Sequence, residues 1–96
     1  MSTTPASAQA QDEVVGLCAE LIRFDTSNPT SDEREAADWV VARLAEAGIG
    51  SELVESAPGR ANVIARIAGA DPTRGALLVH GHLDVVPADA AEWQGG

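Results

Sequence analysis

Residues 80 to 87, HGHLDVVP, hold the side chains best suited to chemistry. His82 and Asp84 stand two apart, so in extended backbone both leave the chain on the same face. A carboxylate beside a metal-bound imidazole accepts the proton of the ring nitrogen turned away from the metal, which fixes the tautomer and strengthens the ligand. The pattern His-x-Asp is therefore suited to metal chemistry, with His82 as ligand and Asp84 as its helper. His80, a further two residues upstream, makes a second ligand geometrically available, although one histidine of such a pair is often an ordinary packed residue. Gly81 lets the backbone approach closely or bend, and Pro87 ends any strand pairing.

These side chains need a scaffold, and the preceding residues predict one. Residues 76 to 79, ALLV, form a short unbroken apolar run that reads as a strand covered on both faces, extending to His80. In layered α/β proteins ligands gather outside the carboxyl ends of such strands, which places the site just past Val79. Two further strands are expected at 52–55 and 62–67, the first pair separated by APGR at 57–60 and the next by GADPTRG at 69–75, both rich in turn formers.

Two helices come first. From Asp12, the positions of Val14, Leu17, Cys18, Leu21 and Ile22 put them on one helical face, with the end near Asp25. The turn formers of DTSNP, residues 25 to 29, follow, and Pro29 turns Asn28 away from helical backbone. The second helix is expected from Ser31 or Asp32, where Thr30 with Glu33 and Asp32 with Glu35 offer capping boxes. Its buried stripe is Ala36, Val40, Leu44 and Ala47, joined by Ala37 and Val41, and Gly48 is its left-handed stop. Trp39 and Arg43, four apart, can stack, or Trp39 can pack against a neighbouring element. Three strands and two helices amount to the start of a mixed sheet with helices packed on it, an α/β layer left unfinished.

Composition narrows the function. The chain of 96 residues carries a formal net charge of −9, and its basic residues are all arginines. Such a surface repels phosphate backbones and anionic membranes, which argues against nucleic-acid or membrane partners. Apolar residues make up 45% of the chain, but the aromatics are only Phe24, Trp39 and Trp93, so the core should be light and alanine-rich. Cys18 cannot form an internal disulfide; it reads as a small core or half-buried helix residue in a reducing compartment. Residues 1 to 11 lack the features of a secretory signal and read as a disordered lead to a cytoplasmic protein.

Taken together, DTSNP at 25–29, the helix through Glu35 and Trp39, NVIARI at 62–67, and GALLVHGHLDVVP followed by Trp93 resemble the acetylornithine deacetylase, succinyl-diaminopimelate desuccinylase and aminoacylase family of zinc metallopeptidases. The similarity runs from Asp12 onward. It implies that His82 binds one ion of a two-zinc site, that Asp84 orients it, and that the position of His80 is not a ligand. In the complete enzymes two metal ions activate a shared water and polarise an amide carbonyl while a glutamate moves the proton. Cobalt or manganese could serve in place of zinc, because nitrogen and oxygen ligands suit all three.

The resemblance also implies that residues 12 to 96 are the amino-terminal part of a catalytic domain. The bridging aspartate, the catalytic glutamate and the remaining ligands would then lie beyond Gly96, together with a smaller domain that often pairs subunits into a homodimer. The expected activity is hydrolysis of N-acyl amino acids or small peptides by the complete enzyme, with this piece inactive alone, since catalytic zinc usually takes three protein ligands. Two other readings compete. One is a truncated, non-catalytic product that serves as a binding or residual module. The other is a fragment of a serine α/β-hydrolase using LLVHG as its oxyanion turn, which would require a GxSxG that these residues lack.

Overall fold

The computed structural model describes residues 8–93. The order of elements is α1 (Ala8–Ile22), α2 (Arg34–Glu46), β1 (Ser51–Ala57), β2 (Arg60–Ala65) and a 3₁₀ turn over Ala90–Glu92. Residues 1 to 7 of the expected lead lie outside the described residues, while Ala8 to Gln11 are already helical. Alanine and glutamine are good helix formers, and the Gln9 amide donates to Glu13 Oε1 at 3.1 Å one turn on.

The packed part of the molecule is α2 lying across the β1–β2 hairpin. The strands pair antiparallel, with Leu53 opposite Val63 and Glu55 opposite Ala61. Leu53 and Val63 are half-buried and their neighbours Glu52, Val54, Asn62 and Ile64 are exposed, the alternation of a sheet with one covered face. Beneath α2 the buried apolar residues are Ala36, Ala37 and Ala61. The core is thus light and alanine-built, as the composition predicts. Small side chains let the helix come close to the sheet but remove little apolar surface from water.

The turn between the strands is held in place from two directions. Pro58 and Gly59 form its corner, and Gly59 has φ 77°, the left-handed backbone that Pro-Gly supplies in a type II turn. A side chain at Gly59 would also run into the Asp32 carboxylate. Glu55 accepts from the Gly59 amide through Oε1 at 2.9 Å and meets Arg34 Nη1 through Oε2 at 3.3 Å. The hairpin is thereby pinned to the start of α2. A β-bulge between Glu55 and Ala57 lets the strands accommodate this corner.

At its ends α2 departs a little from the sequence expectation. Its first helical residue is Arg34, two or three places later than predicted, and neither capping box forms; instead Asp32 Oδ1 accepts from the Arg34 amide at 3.1 Å. The stop is at Gly48 as expected, with φ 79°. Trp39 packs on Phe24, ring centroids 6.3 Å apart and planes tilted by 55°, so the aromatic pair closes the space between the end of α1 and α2. Arg43, the other candidate to stack on Trp39, pairs with Glu46 on its own helix.

Three expectations are corrected. Residues 76–80 form no strand: the sheet has two strands, and Leu77, Leu78 and Val79 are 84 to 88% exposed where both faces were expected to be covered. The physical reason is that an extended segment becomes a strand only when a neighbour completes its hydrogen bonds, and no strand among the described residues lies alongside it. The helices do not both pack on the sheet, because α1 buries none of its residues. Cys18 is accordingly exposed instead of in the core or half-buried, since among the described residues no layer covers the apolar face of α1. What remains is two helices followed by a small open sheet, an incomplete layered α/β arrangement.

Candidate metal centre

Among the described residues no strand leads into the HGHLDVVP segment, so its position depends on the turn that follows α1. Thr26 is 6% exposed, and its hydroxyl donates to the Leu83 carbonyl at 2.8 Å. The Val85 amide donates to the Thr26 carbonyl at 3.1 Å, and the Asn28 amide to the Val85 carbonyl at 2.8 Å. This makes a short parallel bridge between Ser27 and Val85. Each of the two motif-bearing stretches, DTSNP and HGHLDVVP, therefore supplies hydrogen-bond partners that the other would lack.

The turn itself is braced. Asp25 accepts from the Ser27 amide through Oδ1 and from the Ser31 hydroxyl through Oδ2, both at 3.0 Å. Hydrogen bonds from Ser27 first, then from Ser31, hold its carboxyl below the ordinary carboxylate value of 3.8. The Ser31 amide donates to the Ser27 carbonyl at 2.7 Å, closing the loop, and the peptide bond between Asn28 and Pro29 is cis. The DTSNP sequence is thus an Asx-stabilised turn whose other side faces the candidate ligand segment.

On that segment His82 and Asp84 are close but not in the arrangement that plain extended backbone predicts. The His82 Nδ1 lies 2.8 Å from the backbone carbonyl of Asp84 and 3.5 Å from its Oδ1. A carbonyl oxygen can only accept, so this contact is made by a ring with its proton on Nδ1, and in that neutral tautomer the lone pair is on Nε2. The imidazole is 77% exposed, so Nε2 is accessible to an incoming group. The main chain of Asp84 thus lies nearer the ring than its carboxylate does.

The segment faces an open cleft of about 530 Å³, lined by His80, His82 and Asp84 on one side and by Asn62 and Glu33 on the other. Glu33 is a residue that sequence reasoning treated only as a capping partner. Here it is buried, with Arg60 Nη1 3.3 Å from its Oε2 and no hydrogen bond at that oxygen. Its position just ahead of α2 made a cap the natural reading, and its burial depends on Arg60, which sequence does not place beside it.

Among the described residues, no three histidine, cysteine, aspartate or glutamate side chains come together to hold a metal ion. What these residues offer is the exposed imidazole of His82 with the Asp84 carboxylate 3.5 Å from it. That fits one arm of a metal site and would need ligands from elsewhere to close it. Also among the described residues, no helix is long and apolar enough to cross a membrane.

Comparison with known proteins supports the same direction. No family model matches the chain, and no solved structure matches it. It is similar to aminoacylase-1 of Pongo abelii, 29% identical over 90 residues that cover 94% of this chain and 22% of that protein. It is 30% identical over 79 residues to aminoacylase-1 of Sus scrofa, covering 82% of this chain and 19% of the relative. A probable succinyl-diaminopimelate desuccinylase of Staphylococcus epidermidis is 29% identical over 85 residues, 88% of this chain and 20% of its own length. The chain thus spans about a fifth of the length of the curated relatives it matches, and across that fifth its similarity is to hydrolases.

Proposed function

We propose that this chain is the amino-terminal part of a metal-dependent amide hydrolase of the acetylornithine deacetylase, succinyl-diaminopimelate desuccinylase and aminoacylase family, acting on N-acyl amino acids or small peptides. The observation that carries the reading is His82: 77% exposed, with Nδ1 2.8 Å from the Asp84 carbonyl, so that the other ring nitrogen is the one open to a metal. The similarity to aminoacylase-1 and to the probable desuccinylase supports the family.

In this reading His82 would hold one zinc ion, or cobalt or manganese in its place, and Asp84 is the residue that keeps the ring turned toward it. A bound pair of such ions supplies Lewis acidity toward an amide carbonyl and a water of lowered pKa. The contribution of this chain is to present Nε2 with the correct tautomer. The further ligands and the general base belong to residues outside it, so the piece alone is inactive. The acidic surface, with a net charge of −9, fits a small-molecule substrate in preference to nucleic acid. The lone cysteine fits the cytoplasm, and a homodimer is the assembly that the family reading carries with it.

The test is metal content and amidase activity of the protein at its native full length. His82→Ala should abolish tight binding of one metal ion, and unchanged metal content would sink the assignment. Asp84→Asn should keep much of the metal while lowering activity by about 10- to 100-fold. Full activity in that variant would remove the Asp84 carboxylate from the role and leave its main-chain carbonyl, 2.8 Å from Nδ1, as the group that holds the ring.

A further inference from the structure

We infer that the open cleft beside His82 is a slot for one further β-strand, which adds along the free edge of β2 with the 78–84 segment on its other side. Its occupant is a segment of the same polypeptide outside residues 1–96, an assignment that rests on the reading of this chain as part of a longer protein and on nothing in that reading about metal or substrate. The shape of the cleft carries the inference. Its wall takes in five consecutive residues of β2, Ala61 to Ala65. Neighbouring residues of a strand point to opposite faces, so a space that touches all five runs along the edge of the strand and lies over neither face.

One edge of β2 is taken by β1, and among the described residues no strand takes the other. Every second residue of β2 therefore turns its N–H and C=O toward the cleft. Nothing along that edge discourages pairing: β2 reads RANVIA, with no proline or lysine and its one charge at the first residue. Across the cleft stand the apolar side chains of Leu78 and Val79, and Val40 of α2 also reaches its wall. The occupant is thus an apolar run, about five residues long to match Ala61–Ala65. It is also a lone strand, because both of its edges meet a wall. The hairpin edge of a second copy would bring its own next strand with it and need twice the roughly 5 Å that one strand takes. A two-stranded hairpin is marginal by itself, so β2 gains most from a third strand. The chain for it is available, since the matched relatives are about five times the length matched here.

The experiment is amide hydrogen exchange, followed by NMR, on the wild-type protein at its native full length. In a bare hairpin, protection along β2 alternates, because only every second residue bonds to β1. With the slot filled, the amides of residues 62 to 65 should all exchange at least about 100-fold more slowly than unstructured amides. One of the neighbouring pair Leu78 and Val79 should be slowed as well. The occupant is then identified with a photoreactive side chain placed at Leu78, whose adduct is mapped by mass spectrometry. The expected adduct lies within one chain and joins position 78 to an apolar segment outside residues 1–96. If that variant does not fold, the same group is placed at Ile64 on the facing wall.

Alternating protection across residues 62 to 65 would overturn the proposal. So would an adduct between two chains, which makes a second copy the occupant, or one confined to residues 1–96, which means that the 78–84 segment closes directly on β2. The absence of any adduct outside residues 1–96 overturns it too. Neither readout uses metal or turnover. A filled slot found beside unchanged metal content in His82→Ala would remove the metal assignment alone, and alternating protection in a protein whose His82→Ala variant loses metal would remove the strand alone.

Discussion

Leu77, Leu78 and Val79 form an unbroken apolar run that stands almost wholly in solvent, while Leu83 to Val85, a few residues on, are tied to the Thr26 turn by three hydrogen bonds. Hydrophobicity alone would order these stretches the other way. The difference teaches that an extended segment is placed by partners for its backbone groups, and apolar side chains add stability only once such partners exist. A bare apolar run with free N–H and C=O groups is also a template for pairing with another strand.

That contrast can be broken at several points. The largest effect is expected where packing is complete. Ala37→Asp places an unpaired charge beneath α2 and should cost about 3 kcal/mol or more, read by urea unfolding. A small effect would mean that α2 is not fixed on the hairpin. Thr26→Val should come next, at about 1–2 kcal/mol, because it strands the Leu83 carbonyl. A neutral result would show that water replaces the hydroxyl at no loss.

Arg60→Ala removes the partner of buried Glu33 and should cost about 1 kcal/mol, shrinking as salt is raised, since the guanidinium is partly exposed. Leu78→Ser should change stability by no more than about 0.5 kcal/mol while the run is solvated. A loss of several kcal/mol in the protein at its native full length would show the run covered there, and the contrast with Leu83–Val85 would vanish.

The smallest effect concerns pH. Asp25 has its carboxyl pKa depressed in the folded state by Ser27 and Ser31, so its contribution is present above the ordinary value of 3.8 and is lost as pH falls through the depressed folded value. Protection of the Ser27 amide, its exchange rate relative to that of an unstructured amide at the same pH, should therefore fall only in that acidic window. In Asp25→Asn the fall should be absent.

Much of the packed unit was legible in the sequence. Pro58-Gly59, Gly48 and the alternation around Leu53 and Val63 act locally, and local chemistry is what a sequence displays. The pairing of His82 with Asp84 was legible for the same reason, though its form was not: the main-chain carbonyl of Asp84 sits nearer the ring than its carboxylate does. The run at 76–79 could not be read correctly, because ALLV is the same four residues whether or not a neighbouring strand is present. Thr26 reads as one turn former among several, and its task depends on Leu83, far along the chain. The exposure of Cys18 likewise follows from the absence of a layer over α1 among the described residues, which the helical spacing of its apolar residues does not reveal.

The bridge between Ser27 and Val85 has a consequence in time. Closing it, together with the Thr26–Leu83 bond that spans 57 positions, costs chain entropy before any bond is returned, and the cost falls once α2 and its hairpin have shortened the intervening path. The turn after α1 is therefore made early but waits, and the histidine segment docks late, after the hairpin has formed. During synthesis Thr26 leaves the ribosome well before its partner exists, so the candidate ligand is set in place later than the turn that receives it.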